Sequence, residues 1–590
     1  MTTIRPAALF ALFAPLVLAC ARPGDAKPGD AKTDASADAK AGAGGQAGSN
    51  AAGGAVAAAG TVTECPQSLG GSDKLHRVIS KDCGVVTVTE DYYVDGGSLT
   101  LEAGASLSFK DGAGLFIGYY EPAKLIVQGT AAAPVVLTAA GDKVAGVWRG
   151  VSLNDKADRS SLEGLVIEYA GTDESALFVD AEDVILKGVK IRDAKGTALL
   201  IGDAGGFAGF TDNEFKKLGK PAAIDAPARA LGGLVAGNRF DAGAHVLVRG
   251  GAVNKSQKWQ GPGAPLLVAG EVNVDGEPGQ RATLELAAGL ELRFTEAGVL
   301  NVGYYNLGGL TARGTAEAPV TFTAHERREP GGWGGVTVYG QGEATFEQAV
   351  FEFGGKREDA GALTVRGGTL ALTATTFRSD LRGLWADESS KLTAFADNKF
   401  VATPVGVTVP ASLIGALGDG NAFDRDSKIR SPGGAVKGKT SWRGQVVPIE
   451  FAGEITFDGG ELTLEPGVAL LAGPDAQLTI GYYDAATLFI KGTAAAPVTI
   501  GPADPARATW RGISLSSKSR GNVLENLVLT AASNDAAVQV DGDVDAKLAG
   551  VTCSKCAGAV VGWSCGAKVS SSQVLAADGT PKIEAAPVGC

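Results

Sequence analysis

Three stretches of this chain repeat one another across most of its length, so only a fold built from stacked or radially repeated units can accommodate it. The first stretch runs Leu99-Thr-Leu-Glu-Ala-Gly, Gly118-Tyr119-Tyr120, Gly129-Thr-Ala-Ala-Ala-Pro134 and Trp148-Arg-Gly150. The second runs Leu284-Glu-Leu-Ala-Ala-Gly, Gly303-Tyr304-Tyr305, Gly314-Thr-Ala-Glu-Ala-Pro319 and Trp333-Gly-Gly335. The third runs Leu462-Thr-Leu-Glu-Pro-Gly, Gly481-Tyr482-Tyr483, Gly492-Thr-Ala-Ala-Ala-Pro497 and Trp510-Arg-Gly512. The glycines that open the tyrosine motif lie 185 and 178 residues apart. Asn213-Glu-Phe215 matches Asn398-Lys-Phe400, Asn238-Arg-Phe240 matches Asn421-Ala-Phe423, and Trp259 matches Trp442. The body therefore reads as two full modules and a third that stops near Cys553.

Within a module, apolar residues alternate with polar or small ones in short runs, as at Leu99 and Leu101, Leu115 and Ile117, Leu125 and Val127, or Leu177 and Val179. This is the period of half-buried strands, and Gly, Asp-Gly and Ala-Pro turns break them. No 3.6-residue period is sustained over 12 residues. Equivalent strands return every ~22–26 residues, which suits one three-strand coil of a solenoid better than a propeller blade of ~40–45. Glycine is 85 of 590 residues, about twice the usual ~7 %; some of it lies in the segment before residue 60, and most turns the corners this architecture needs. Asn213, Asn238, Asn398 and Asn421 are expected in left-handed turns, with Phe215, Phe240, Phe400 and Phe423 pointing inward. Trp148, Trp333 and Trp510 are read as packing residues.

The run G-x-L-x-x-x-G-T-A-x-x-P-V-x-F-T followed by W-x-G-V resembles the right-handed parallel β-helix repeats of bacterial surface lipoproteins, which share the pectate-lyase-like fold. The resemblance covers roughly residues 85–560. It implies an all-β chain, a single-stranded right-handed parallel β-helix (solenoid) of about 22 coils, with disulfide-bonded end caps and a length on the order of 100 Å. It implies nothing about activity.

Arg5 precedes an apolar run of about 13 residues, Ala7 to Ala19, too short to span a bilayer but suited to a signal peptide. Val17-Leu18-Ala19-Cys20 resembles the bacterial lipobox, which implies lipidation of Cys20; Ala19-Cys20-Ala21 also fits ordinary signal cleavage. Ala21 in place of aspartate points to the outer membrane by the same resemblance. From Ala21 to about Gly60 the chain lacks aromatic residues and carries balanced charge, the composition of a disordered tether. The six remaining cysteines lie at the two ends of the repeats, Cys65 and Cys83 first, then Cys553, Cys556, Cys565 and Cys590. That placement suits structural disulfides in an oxidising compartment. Local pairing joins Cys65 to Cys83, and the last four leave three connectivities open. The expected divisions are 1–19 signal peptide, 20–60 lipidated cysteine and tether, 61–90 N-terminal cap, 91–275 and 276–455 full modules, 456–551 truncated module, and 552–590 C-terminal cap.

A net charge of −12 argues against a nucleic-acid partner, because phosphate binding needs a basic surface. The N-T-D, G-H-G and R-I-K motifs of pectate-lyase-like hydrolases are absent; Lys190-Ile191-Arg192 and Lys428-Ile429-Arg430 reverse the last. His76, His245 and His325 are read as surface or turn residues. Asp541-Gly-Asp543-Val-Asp545 starts like a calcium loop but places Ala546 and Thr552 where Gly and Glu belong. No catalytic residue, metal site or cofactor is assigned. The tyrosine pairs Tyr119-Tyr120, Tyr304-Tyr305 and Tyr482-Tyr483 are the candidate ligand-binding residues, either platforms for sugar rings or a partner protein, or covers for strand ends. At about eight coils per module they are expected every ~38 Å along one face. The resulting expectation is a monomeric, lipid-anchored, non-enzymatic protein of the bacterial cell envelope, structural or binding polysaccharide or another surface protein. The alternative is a polysaccharide lyase or glycoside hydrolase with an unfamiliar active site.

Overall fold

A strand with one apolar row cannot bury that row alone, and parallel winding solves the problem by stacking each strand on the equivalent strand of the next turn. The computed structural model describes residues 60–576 apart from 173, 505, 507 and 508, together with the backbone of 583–584. The expected signal peptide, the tether with Cys20, and Cys590 lie outside the described residues. The remainder is an all-β, right-handed parallel solenoid of about 21 turns, against roughly 22 expected. Every strand-to-strand pairing in the ladder is parallel, as where Leu115 faces Val151 and Val151 faces Leu177. The alternating residues Leu99, Leu101, Leu115, Ile117, Leu125 and Val127 are all buried in one continuous core.

Large side chains stack along the interior. Phe294, Phe322, Phe351, Phe377, Phe400 and Phe423 form a column with ring spacings of 6.5, 4.8, 5.0, 5.0 and 4.6 Å. Trp148, Trp333 and Trp510 are fully buried, and each indole N–H donates to a backbone carbonyl, of Glu168, Glu352 and Thr530 respectively.

The four asparagines do not occupy left-handed turns. Left-handed φ belongs to the residue before each, Asp212, Gly237, Asp397 and Gly420. The asparagines turn inward and form ladders between turns. Asn213 Oδ1 accepts the Val189 N–H at 2.9 Å, and Asn213 Nδ2 donates to Asn238 Oδ1 at 3.0 Å. Asn398 repeats this toward Thr375 and Asn421, at 3.1 Å each. A tight corner leaves backbone groups unpaired inside the coil, and the amide satisfies both a donor and an acceptor.

Cys65 and Cys83 are bonded with Cα atoms 5.1 Å apart, Cys553 and Cys556 with Cα atoms 6.1 Å apart, and Cys565 is also disulfide-bonded. Strands within the segments expected as caps join the ladder. Thr61–Val62 already pairs with His76 and Arg77. Asn522–Thr530 pairs with Asp545–Ser554, which pairs in turn with Lys568–Ser572.

The modules are not whole numbers of turns. Seven ladder steps lead from Leu115 through Val151, Leu177, Leu199, Ile224, Val246 and Leu266 to Leu292. Leu292 is the counterpart of Leu107, which lies one wall earlier than Leu115 in the winding. Seven steps likewise lead from Leu300 through Val336, Leu363, Leu384, Val407, Ile429 and Ile449 to Leu470, again the counterpart of Leu107. Each module thus spans seven turns and one wall, and each is rotated by about a third of the circumference relative to the one before. Short helical turns stand at the changeovers, Ala228–Gly233 and Ala411–Ile414.

Candidate functional site

Each tyrosine pair follows the second wall strand of its module, after Gly114–Ile117, Val299–Val302 and Gln477–Ile480. The glycine before it has φ of 64°, 68° and 69° at Gly118, Gly303 and Gly481. A Cβ there would come within 2.5 Å of Lys156 or Ser519 backbone, or 2.1 Å of Gly342. Only glycine meets both demands. The chain then turns outward, and the six tyrosines are 46–69 % exposed. Within each pair the rings meet edge to face, at 4.7, 4.5 and 4.7 Å between centroids.

What holds the loop is an aspartate one turn earlier. Asp95 Oδ1 accepts the N–H of Tyr120 at 2.8 Å and of Glu121 at 3.2 Å. Asp275 Oδ1 accepts from Tyr305 and Asn306 at 3.1 and 3.2 Å, and Asp458 Oδ1 from Tyr483 and Asp484 at 2.9 and 3.2 Å. All three carboxylates are buried. In the first and third modules a lysine also donates to the second tyrosine's carbonyl, Lys156 to Tyr120 at 2.8 Å and Lys518 to Tyr483. Nothing in the sequence alone singles out these aspartates: their signal is a repeated Val/Phe-Asp-Gly, at Val94, Val274 and Phe457, which looks like any other turn until the coil length is known.

Beside the pairs the modules differ. Tyr93 and Phe116 stack at 4.8 Å in the first, and Tyr93 touches Tyr119 at 5.9 Å. Asn273 and Asn301 take those positions in the second, joined by a 3.0 Å hydrogen bond, while Tyr339 packs on Tyr304 at 4.6 Å. Thr456 and Thr479 take them in the third, and Thr479 donates to Glu454 at 2.7 Å. Burial raises the hydroxyl pKa of Tyr93, helped by Asp91, and that of Tyr339, helped by Tyr304.

The rotation of the modules overturns the expectation of a single face. The wall before the first pair continues as the first wall of the second module, so the second pair leaves from the next corner and the third from the corner after that. The axial spacing is about 35 Å for seven and a third turns at ~4.8 Å each.

His245 is buried, contrary to the surface reading, with its ring 5.8 Å from that of His325. Burial depresses its pKa, and His325 and Arg293 add to the effect. Asp545 Oδ2 accepts the Gly521 N–H at 2.9 Å, and among the described residues no group of three or more His, Cys, Asp or Glu side chains is placed to hold a metal. Arg192 is paired with Glu168, and Lys428 and Arg430 with Glu450. A groove of about 750 Å³ at the first changeover is lined by Glu182, Asp183, Arg229, Lys255 and Lys258 among others. Comparison of the chain with protein-family models, with curated proteins and with solved structures found no match in any of the three.

Proposed function

We propose that this protein is a lipid-anchored, extracytoplasmic β-helical rod of the bacterial cell envelope that binds neutral polysaccharide through its tyrosine pairs and catalyses no reaction. The observation that carries this is the construction of the pairs. Six large aromatic rings are exposed at equivalent places, and each pair is held by a buried aspartate one turn earlier. An aromatic face beside backbone carbonyls, amides and hydroxyls suits the apolar faces and hydroxyl edges of sugar rings. The acidic body, net −12, disfavours an acidic polymer by repulsion. Kinship with the pectate-lyase-like lipoproteins and an outer-membrane location through Cys20 belong to the same proposal, as does a monomeric state.

A glycan array probed with the full chain tests the reading. Retention of neutral glycans that disappears when all six tyrosines become alanine, with the melting temperature kept, supports it. Loss of the fold in that variant would instead make the tyrosines covers for strand ends. Membrane fractionation of Cys20→Ser tests the anchor, and unchanged sedimentation with membranes would reject it.

A second reading, a polysaccharide lyase or hydrolase, is kept by the changeover groove, where carboxylates and cations line one cleft. Release of reducing ends or unsaturated sugars from a uronic-acid polymer, lost on Glu182→Gln or Asp183→Asn, would replace the first reading.

A further inference from the structure

The three tyrosine pairs share one construction but leave the solenoid from three different corners. A stiff polymer lying along the axis meets one corner only. To reach the next pair it would have to turn through about a third of the circumference within about 35 Å. Two sites on one rigid body strengthen each other only when one ligand strand can span both, and here the rotation prevents that for a stiff strand. The surroundings also differ, with Tyr93 and Phe116, Asn273 and Asn301, or Thr456 and Thr479 beside otherwise equivalent pairs. The three sites are thus separate in direction and unlike in detail.

Resting on the glycan-binding reading above, we infer that the protein is a cross-linker. It holds up to three separate neutral polysaccharide strands, one at each corner, and ties them into a network. It does not run along a single strand. No covalent step is involved, and the rigidity of the ladder fixes the angle between the strands.

The test uses the full chain and three variants that each keep a single tyrosine pair, the other four tyrosines being replaced by alanine. Hexasaccharides of β-1,3-glucan, β-1,4-glucan and β-1,4-mannan are titrated first by calorimetry, because these are too short to pass from one corner to the next. The corresponding soluble polymers are then mixed with protein and followed by light scattering and viscosity. We expect three hexasaccharides per wild-type chain and one per variant. With polymer, wild type raises scattering and viscosity at least about tenfold over any single-pair variant. Three different variants guard against the misfolding of one. Hexasaccharide binding without a polymer network, or a network formed equally by single-pair variants, overturns the cross-linking and leaves the glycan reading intact. No hexasaccharide binding across the panel removes the glycan reading, and the cross-linking with it.

Discussion

Asp380 shows how one residue can break the repetition at a cost. Its counterpart in the first module is the buried Ala194, yet Asp380 is fully buried, with Oδ1 accepting the Gly354 N–H and Oδ2 unpartnered. Burial, aided by Glu352, pushes its pKa well above the usual carboxylate range. Between about pH 4 and that raised value the folded protein keeps a proton that the unfolded chain releases. Stability therefore falls as pH climbs through that window. Asp380→Asn keeps the acceptor, and we expect it to flatten this slope in urea unfolding and to be the more stable form at pH 8. The three loop aspartates make a second residue-scale prediction. Asp95→Ala leaves the N–H groups of Tyr120 and Glu121 unpaired, at about 1–3 kcal/mol. If the pairs bind glycan as proposed, binding at the first pair should weaken while the other two sites persist, read as a stoichiometry of two by calorimetry. The tyrosine pairs were legible in the sequence because they recur beside glycine at a strand end. Asp95, Asp275 and Asp458 were not, because their partners lie 25–31 residues away, one turn on.

At the scale of elements, the strands and their inward rows follow directly from period-2 alternation, and even three-residue strands such as Lys190–Arg192 obey it. The corners were harder to read. Asparagine tolerates left-handed backbone, so Asn-x-Phe looks like a turn, but its amide is also the side chain best able to satisfy a buried donor and acceptor together. The structure uses the second property and leaves the left-handed residue one place earlier. Asn213→Ala removes the bonds to Val189, Leu186 and Asn238 at once. We expect a loss on the order of 3 kcal/mol, with faster hydrogen exchange confined to the neighbouring turns, since each turn of a solenoid contacts only its neighbours. The tryptophans offer an internal control. Trp148 donates its N–H to Glu168, whereas the indole nitrogens of Trp259 and Trp442 are buried without a partner. Trp148→Phe should therefore cost about 1 kcal/mol more than Trp259→Phe in paired unfolding measurements.

At the scale of the whole molecule, the repeat is legible in the sequence but its phase is not. Strand spacings of ~22–26 residues scatter too widely to tell seven and a third turns from eight, and only the ladder from Leu115 to Leu292 resolves the difference. A direct check is to place spin labels at positions 120, 305 and 483 and measure all three separations by electron–electron resonance. If the pairs lay on one face, the longest distance would equal the sum of the other two; we expect it to fall clearly short. The extra third of a turn also makes module number a choice of direction as well as of reach. Two modules would leave one side of the solenoid bare. Three complete the circuit, and a fourth would set its tyrosines directly above the first pair, about 105 Å along the axis, adding length but no new bearing.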